Sequence, residues 1–369
     1  MITLNVKIKQ RSAQAYPIMI GQGLLKNACV LLPLVQKYNR VVIITDSLGK
    51  RLFGNPLVKN LLSANVKSIL LSFPSGEKSK TRKVLAVLED LMLKAGCGKD
   101  TVILALGGGV VGDLAGFVAA TYMRGIDYVQ IPTTLLAMVD SSIGGKTGID
   151  TTHGKNLIGA VWQPKAVIVD VDCLKSLPRV QIINGLVEAI KMFMTSDKKS
   201  FDYVKSNLPK ILSKNPKVLI ETIRRAVKIK AGIIGRDETE KHERMTLNFG
   251  HTIGHALEKL SNYRLMHGEA VALGVLAEAK ISRDLRILSR ADYDKIIAIM
   301  ERVGITAKSL KKWYVNDVIA QTKSDKKTRN GKARYILLER IGKVHSKNGE
   351  YAHFVDDKAV KNALSLANH

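Results

Sequence analysis

The chain has 369 residues, 46% of them hydrophobic and 5% aromatic, with a formal net charge of +26. That length exceeds one ordinary core and predicts two domains. No run of about 18 apolar residues is free of charge or turn residues, which excludes a membrane-spanning helix. The three widely spaced cysteines, Cys29, Cys97 and Cys173, argue against a disulfide scaffold and fit a reducing cytoplasm.

The charge raises nucleic acid or an anionic membrane as partners. The basic residues are spread, however, with no stripe interleaved with aromatics. They read as a solvated basic surface, with a share left for an anionic substrate.

The opening "MITLNVKIKQRSAQAYPIMIG" alternates apolar and polar residues. It predicts a first strand and a hairpin partner, not a signal peptide. "RVVIITD" (40–46) and "VKSILLSF" (66–73) follow as buried strands, the first ending in Asp46. "KVLAVLEDLMLKAG" (83–96) has helical periodicity and a stop at Gly96. "DTVILALGGG", "YVQIPTT" and "KAVIVDV" are three more strands. Apolar strands alternating with helices predict an α/β unit: a Rossmann-like, open, mostly parallel sheet covered by helices.

Past "SLPR" (176–179) strand-like runs nearly vanish. "NGLVEAIKMFMTS", "PKVLIETIRRAVKIKAGII", "LNFGHTIGHALEKL" and "GEAVALGVLAEAKISRDL" are all helical in period. One late strand, "ARYILLE" (333–339), breaks the run. The expected division is therefore an α/β domain over 1–177 and a mainly helical domain over 178–369.

Four stretches carry candidate chemistry. In "LGGGVVGDLAGFVAA" (106–120) a strand ends in glycines and an apolar helix follows, and helix N-terminal amides favour a phosphate. The spacing is not the strict dinucleotide fingerprint, and Asp113 at the helix start is unusual, so tight strand–helix packing explains it equally well. In "PTTLLAMVDSSIGGKTGID" and "HGKNLIGAVWQPKAV", Lys146, Lys155 and Asn156 gather donors beside Asp140, which suits phosphate or sugar hydroxyls. Glu188, His251 and His267 form a three-ligand set of the zinc type, although each taken singly has an ordinary structural reading. His251 and His255 share a helix face, but Thr252 stands where a zinc protease has glutamate. In "SDKKTRNGKARYILL", Lys326 and Lys327 precede a turn and read as a basic hairpin tip.

These stretches, with "SGEKSK", "GLVEAIK", "RMTLNFGHTIGHALE" and "HGEAVALGV", occur in the order and spacing of one family. The chain resembles the 3-dehydroquinate synthases, of the sugar-phosphate cyclase superfamily, over nearly its whole length. The resemblance implies an NAD-binding N-terminal domain, a C-terminal domain binding metal and substrate, and an active site between them. It implies NAD and a divalent metal, zinc with Co2+ as the alternative, in a cytoplasmic homodimer that engages neither nucleic acid nor membrane. The implied reaction takes 3-deoxy-D-arabino-heptulosonate 7-phosphate to 3-dehydroquinate and phosphate in the shikimate pathway. It proceeds by transient oxidation, phosphate elimination, reduction, ring opening and intramolecular aldol closure.

By resemblance, Glu188, His251 and His267 hold the metal. Lys146, Asn156, Arg124, Lys230, Arg244, Asn248 and one of Lys326 or Lys327 match substrate and phosphate contacts. Asp140 matches a carboxylate that binds substrate hydroxyls, and Lys191 and His255 line the site. Asp46, Glu77, Lys80, Gly109, Val110, Val111, Gly112, Asp113, Thr133, Thr134, Lys146, Lys155 and Ser176 match the cofactor site.

The chain departs from the family at Val180 and Gln181, where a charge pair is usual, at His242 for a glycine and at Asp150 for an asparagine. Three rivals frame the expectation. They are a sister cyclase acting on another sugar phosphate, a metal-dependent polyol dehydrogenase that would release NADH, and a nucleic-acid binder with a steep salt dependence.

Overall fold

Near-continuous apolar runs make strands that are buried on both faces, and such strands belong inside a parallel sheet. The computed structural model, which describes residues 15–323 and 332–365, builds that sheet from six strands. They are β1 (Ile18–Gly21), β2 (Arg40–Asp46), β3 (Ser68–Phe73), β4 (Thr101–Gly107), β5 (Asp127–Pro132) and β8 (Ala166–Asp170). The order is β1-β8-β5-β4-β2-β3, and every pairing is parallel.

Side-chain alternation splits each central strand between two cores. Val42, Ile44 and Ile103 face a cluster with α4 (Arg82–Lys94) and α5 (Gly109–Thr121). Val41, Ile43 and Val102 face the opposite cluster with α1 (Ala28–Val35) and α3 (Asn55–Ser63). The short turn α2 (Ser47–Gly49) leads into α3. The side chain of Thr81 caps α4 by accepting from Val84 N, and Gly96 closes it at φ 66°.

Two expectations change here. "AYPIMIG" gives β1, but β1 pairs in parallel with β8 at the sheet edge, and the residues expected to form its hairpin partner lie in 1–14, outside the described residues. Between β5 and β8 the structure adds an antiparallel hairpin, β6 (Lys146–Thr151) and β7 (Gly154–Val161), where the sequence suggested only a Gly-Gly-Lys loop.

After β8 the chain is helical: α6 (Arg179–Ser196), α7 (Lys198–Leu212), α8 (Pro216–Arg236), α9 (His251–Leu260), α10 (His267–Asp284), α11 (Arg290–Arg302), α12 (Val315–Lys323) and α13 (Asp357–Leu364). The largest apolar core joins α6 and α10 to Leu135 and Met138, which follow β5, and to Val167 and Val169 of β8, which seats the helices against β8 and the segment after β5. "ARYILLE" splits into β9 (Arg334–Ile336) and β10 (Leu338–Arg340), because each half finds a different partner. β9 pairs with β12 (Ala352–Phe354), and β10 pairs with β11 (Lys343–Val344). Among the described residues, no helix is long and apolar enough to cross a membrane.

Candidate active site

In an open parallel sheet, ligands sit outside the carboxyl ends of the strands where the strand order reverses. That reversal falls between β2 and β4: β3 lies beyond β2 on one side, and the chain then returns to build β4, β5 and β8 on the other. Asp46 ends β2 there, and its Oδ1 accepts from Gly49 N at 2.6 Å. Gly107 ends β4, and a Cβ at this position would lie 2.4 Å from Val111 Cγ2, so only glycine lets the strand turn directly into α5. Val110, Val111 and Gly112 form the first turn of α5, and Thr133 N donates to Gly107 O at 2.9 Å. Thr134 Oγ1 accepts from Ala137 N at 3.2 Å, which starts the wide helical turn Ala137–Ser141.

Lys80 fastens the mouth of this crevice. It is 3% exposed, and its Nζ donates to Asp113 Oδ2 at 2.6 Å and to Asn156 Oδ1. Burial alone would lower the Lys80 pKa, but Asp113 beside it holds it above the ordinary lysine value. The unusual Asp113 at the helix start is thus the half-buried counter-charge to the buried Lys80. Asn156 adopts φ 55°, and its backbone N donates to Asp150 Oδ1 at 2.8 Å, so the acidic Asp150 is used as an acceptor. Lys155 lies 3.9 Å from Glu77 Oε1 and 4.5 Å over the Tyr263 ring. Ser176 stays within its own turn, donating to Cys173 O at 3.3 Å. Val180 is exposed, and Gln181 Oε1 accepts from Asn184 Nδ2 at 3.3 Å.

Toward the helices, three chain segments converge on one buried carboxylate. Glu188 of α6 is fully buried, and its Oε1 lies 3.7 Å from His251 Nε2 and 3.5 Å from His267 Nε2. Both separations exceed ordinary hydrogen-bond length. His251 and His267 stand at the first positions of α9 and α10. The donor atoms of all three residues lie within 4.8 Å of one another, which fits a divalent ion held by one carboxylate and two imidazoles. The other ring nitrogen of His267, Nδ1, is 3.4 Å from Glu258 Oε1. Burial would lower the His267 pKa, but Glu188 and Glu258 raise it to about 10. The pocket therefore favours positive charge at this ring, which a bound cation would supply.

The cations expected to serve a substrate surround this centre. Lys191 Nζ lies 2.6 Å from Glu188 Oε2 and also bonds Leu247 O. Lys230 Nζ donates to Asp140 Oδ1 at 2.7 Å and to its carbonyl at 2.5 Å. Burial would raise the Asp140 pKa, yet Lys230 and Lys191 pull it well below the usual carboxylate range. Arg244 is 3% exposed and donates to Glu238 O at 2.5 Å. The His255 ring centroid is 5.2 Å from that of His251 and 6.2 Å from that of His267.

Two carboxylates escaped the sequence reading. Glu240 accepts from Asn248 Nδ2 at 2.7 Å and from Lys146, so it bridges two expected substrate contacts. Its only sequence signal was the acidic stretch "DETEKHER". Glu258, three residues after His255 on α9, was legible only as an i, i+3 neighbour. His242 needs no positive φ: it sits at −135°, and its backbone N donates to Asp237 Oδ2 at 2.7 Å. Arg124 follows the far end of α5, a 13-residue helix of about 20 Å, so the chain places it at the opposite end of that helix from the glycine turn. Lys326 and Lys327 lie outside the described residues.

Fold and site together define an enzyme of the sugar-phosphate cyclase fold family. A solved 2-deoxy-scyllo-inosose synthase, complexed with carbaglucose-6-phosphate, NAD+ and Co2+, is similar at TM-score 0.87 and 25% identity, covering 94% of this chain and 95% of that one. The 2-epi-5-epi-valiolone synthase from Streptomyces hygroscopicus subsp. jinggangensis, with NAD+ and Zn2+ bound, shares the fold at TM-score 0.87 and 24% identity, covering 98% and 99%. Family profiles sharpen this. The 3-dehydroquinate synthase N-terminal profile matches residues 70–184, and the C-terminal profile matches 185–328. A 3-dehydroquinate synthase of Acidithiobacillus ferrooxidans is 42% identical over 345 residues, covering 93% of each chain. The chain belongs to the 3-dehydroquinate synthase family.

Proposed function

We propose that this chain converts 3-deoxy-D-arabino-heptulosonate 7-phosphate to 3-dehydroquinate and phosphate, using NAD and a zinc ion. The observation that carries the reading is the convergence of Glu188, His251 and His267 beside Lys191, Lys230 and Asp140. In this reading the three ligands hold the ion, and Asp46, Glu77, Lys80, Asp113, Lys155 and the glycine turn hold the dinucleotide. When bound, NAD supplies a reversible hydride acceptor and the divalent ion a Lewis acid for the reacting oxygens.

The chain's own residues then have separable tasks. Asp140 accepts hydrogen bonds from substrate hydroxyls while Lys230 keeps it ionised. Lys146, Asn156, Arg244 and Asn248 bind the phosphate and carboxylate. Lys191 orients the substrate and offsets the Glu188 charge. His255 moves a proton at the reacting centre. Glu258 accepts from His267 Nδ1–H and so aims Nε2 at the ion. We also read the chain as an α/β unit over 1–177 and a helical unit over 178–369, in a cytoplasmic homodimer, as the family resemblance implies.

The test is a turnover assay with NAD and zinc. Phosphate release with dehydroquinate formation and no build-up of NADH is the expected result. Stoichiometric NADH would instead indicate a dehydrogenase, and absence of phosphate would sink the reading.

A further inference from the structure

Helix α8 has two faces with different neighbours. Lys230 points inward and bonds Asp140. Arg224, Lys228 and Arg236 recur at multiples of four along the other face, with Gly232 between them. Among the described residues, a Cβ at Gly232 would meet only Arg236 Nη1, at 3.4 Å, so the glycine leaves the floor of this face open. Together with the end of α6 and the β10–β11 turn, the face lines a cavity of about 560 Å³ that contains none of the metal-type ligands. That volume is ordinary for a small-molecule site.

The cavity is lined by more cations than carboxylates, with Lys343 Nζ donating to Glu339 Oε1 at 2.8 Å just outside it. Arg224, Arg225, Lys228, Arg236 and Lys343 line it, against the carboxylates of Asp197 and Glu243. Asp197 is engaged in starting α7, accepting from Lys199 N at 3.0 Å and Ser200 Oγ at 2.5 Å. One carboxylate, Glu221, serves both Arg224 and Arg225, each at 2.7 Å. The guanidinium of Arg236 forks onto Glu243 with hydrogen bonds of 2.7 and 2.8 Å. That fork closes the base of the 237–242 segment, which presents Glu240 to Lys146 and Asn248.

We propose that this groove is a second ligand site, for a small polyanion bearing phosphate or carboxylate groups. Its occupant competes with Glu243 for Arg236 and thereby loosens the segment that carries Glu240. The binding claim stands on the groove alone, while its effect on turnover rests on the function proposed above.

The experiment titrates the holoenzyme calorimetrically with citrate and, separately, pyrophosphate, at ionic strength held constant with sodium chloride. Saturable binding of at least one probe is expected, weakened at least tenfold in an Arg224→Glu/Lys228→Glu variant whose circular dichroism and basal kcat match the parent. Lys228→Gln, with a smaller loss, serves if the double variant does not fold. The probe that binds is also expected to change KM for the heptulosonate phosphate in the parent and not in the variant. Absence of saturable binding, or equal binding in the variants, overturns the proposal. Binding of polyglutamate with neither small probe taken up also overturns it, in favour of a peptide surface. If charge-dependent binding holds while the phosphate-release assay fails, only the reading of the active site falls.

Discussion

Gly274 of α10 lies so close to Gly250 that a Cβ at Gly274 would sit 1.9 Å from the Gly250 carbonyl oxygen. Gly250 itself takes φ 79°, and its N–H donates to the buried Glu278 Oε2 at 2.8 Å. His251 is the next residue, so this contact sets where a metal-type ligand begins its helix. Gly274→Ala forces the helices apart and is expected to cost about 1–3 kcal/mol or more. Chemical denaturation together with the zinc content of the purified protein checks it, and unchanged values for both would show that the contact is soft.

The two histidines of "HTIGH" are expected to part company under mutation. His251→Ala loses the ion and activity together, as does Glu188→Gln. His255→Ala retains the ion and loses rate by about 10²–10⁴-fold, the usual weight of a positioned proton-transfer group. Metal analysis beside kcat separates them. A metal-free His255 variant would instead place that ring in the coordination sphere.

Glu258 gives a graded outcome. Glu258→Gln keeps the shape but weakens the hold on His267 Nδ1, and a partner of this kind typically changes metal affinity by about 10–100-fold. Chelator competition measures the affinity, with kcat at saturating zinc expected to change far less. Unaltered affinity would make Glu258 a bystander.

Acid should unfold the protein through its buried carboxylates. Burial raises the pKa of Asp140, but Lys230 and Lys191 outweigh it, so the folded value lies below the unfolded one of about 3.9. A depressed carboxylate contributes stability above its unfolded pKa, and that contribution fades as pH falls toward the folded value. Stability is therefore expected to hold above about pH 5 and fall below pH 4. Asp140→Asn removes part of that slope and, by leaving Lys230 buried without its counter-charge, costs about 3–5 kcal/mol near neutrality. Denaturant midpoints across pH 3–7 test both. An unchanged slope in Asp140→Asn would assign acid sensitivity to Glu258 or Asp237, whose pKa values are also lowered despite burial.

The parallel strands were legible because uninterrupted runs such as "RVVIITD" can be buried on both faces only inside a covered sheet. The helical half was legible from its period. The hairpin of β6 and β7 was not, since "KTGID" and "GKNLIGAV" mix glycine and charge in a pattern that reads as loop chemistry. Glu240 and Glu258 escaped for a related reason: a carboxylate on a loop or helix looks like solvated surface until its partners, drawn from distant segments, are known. The break at Leu337 depends on which strand each half finds, and that information lies elsewhere in the chain.

Lys80 holds together three stretches that the gene keeps well apart: its own turn, the helix bearing Asp113 and the hairpin bearing Asn156. The crevice at the ends of β2 and β4 is for that reason not a portable cassette. Transplanting the glycine turn into another sheet would leave the rivet behind, and drift at any one of the three positions strands the other two. Any redesign of this crevice has to move those segments as a unit.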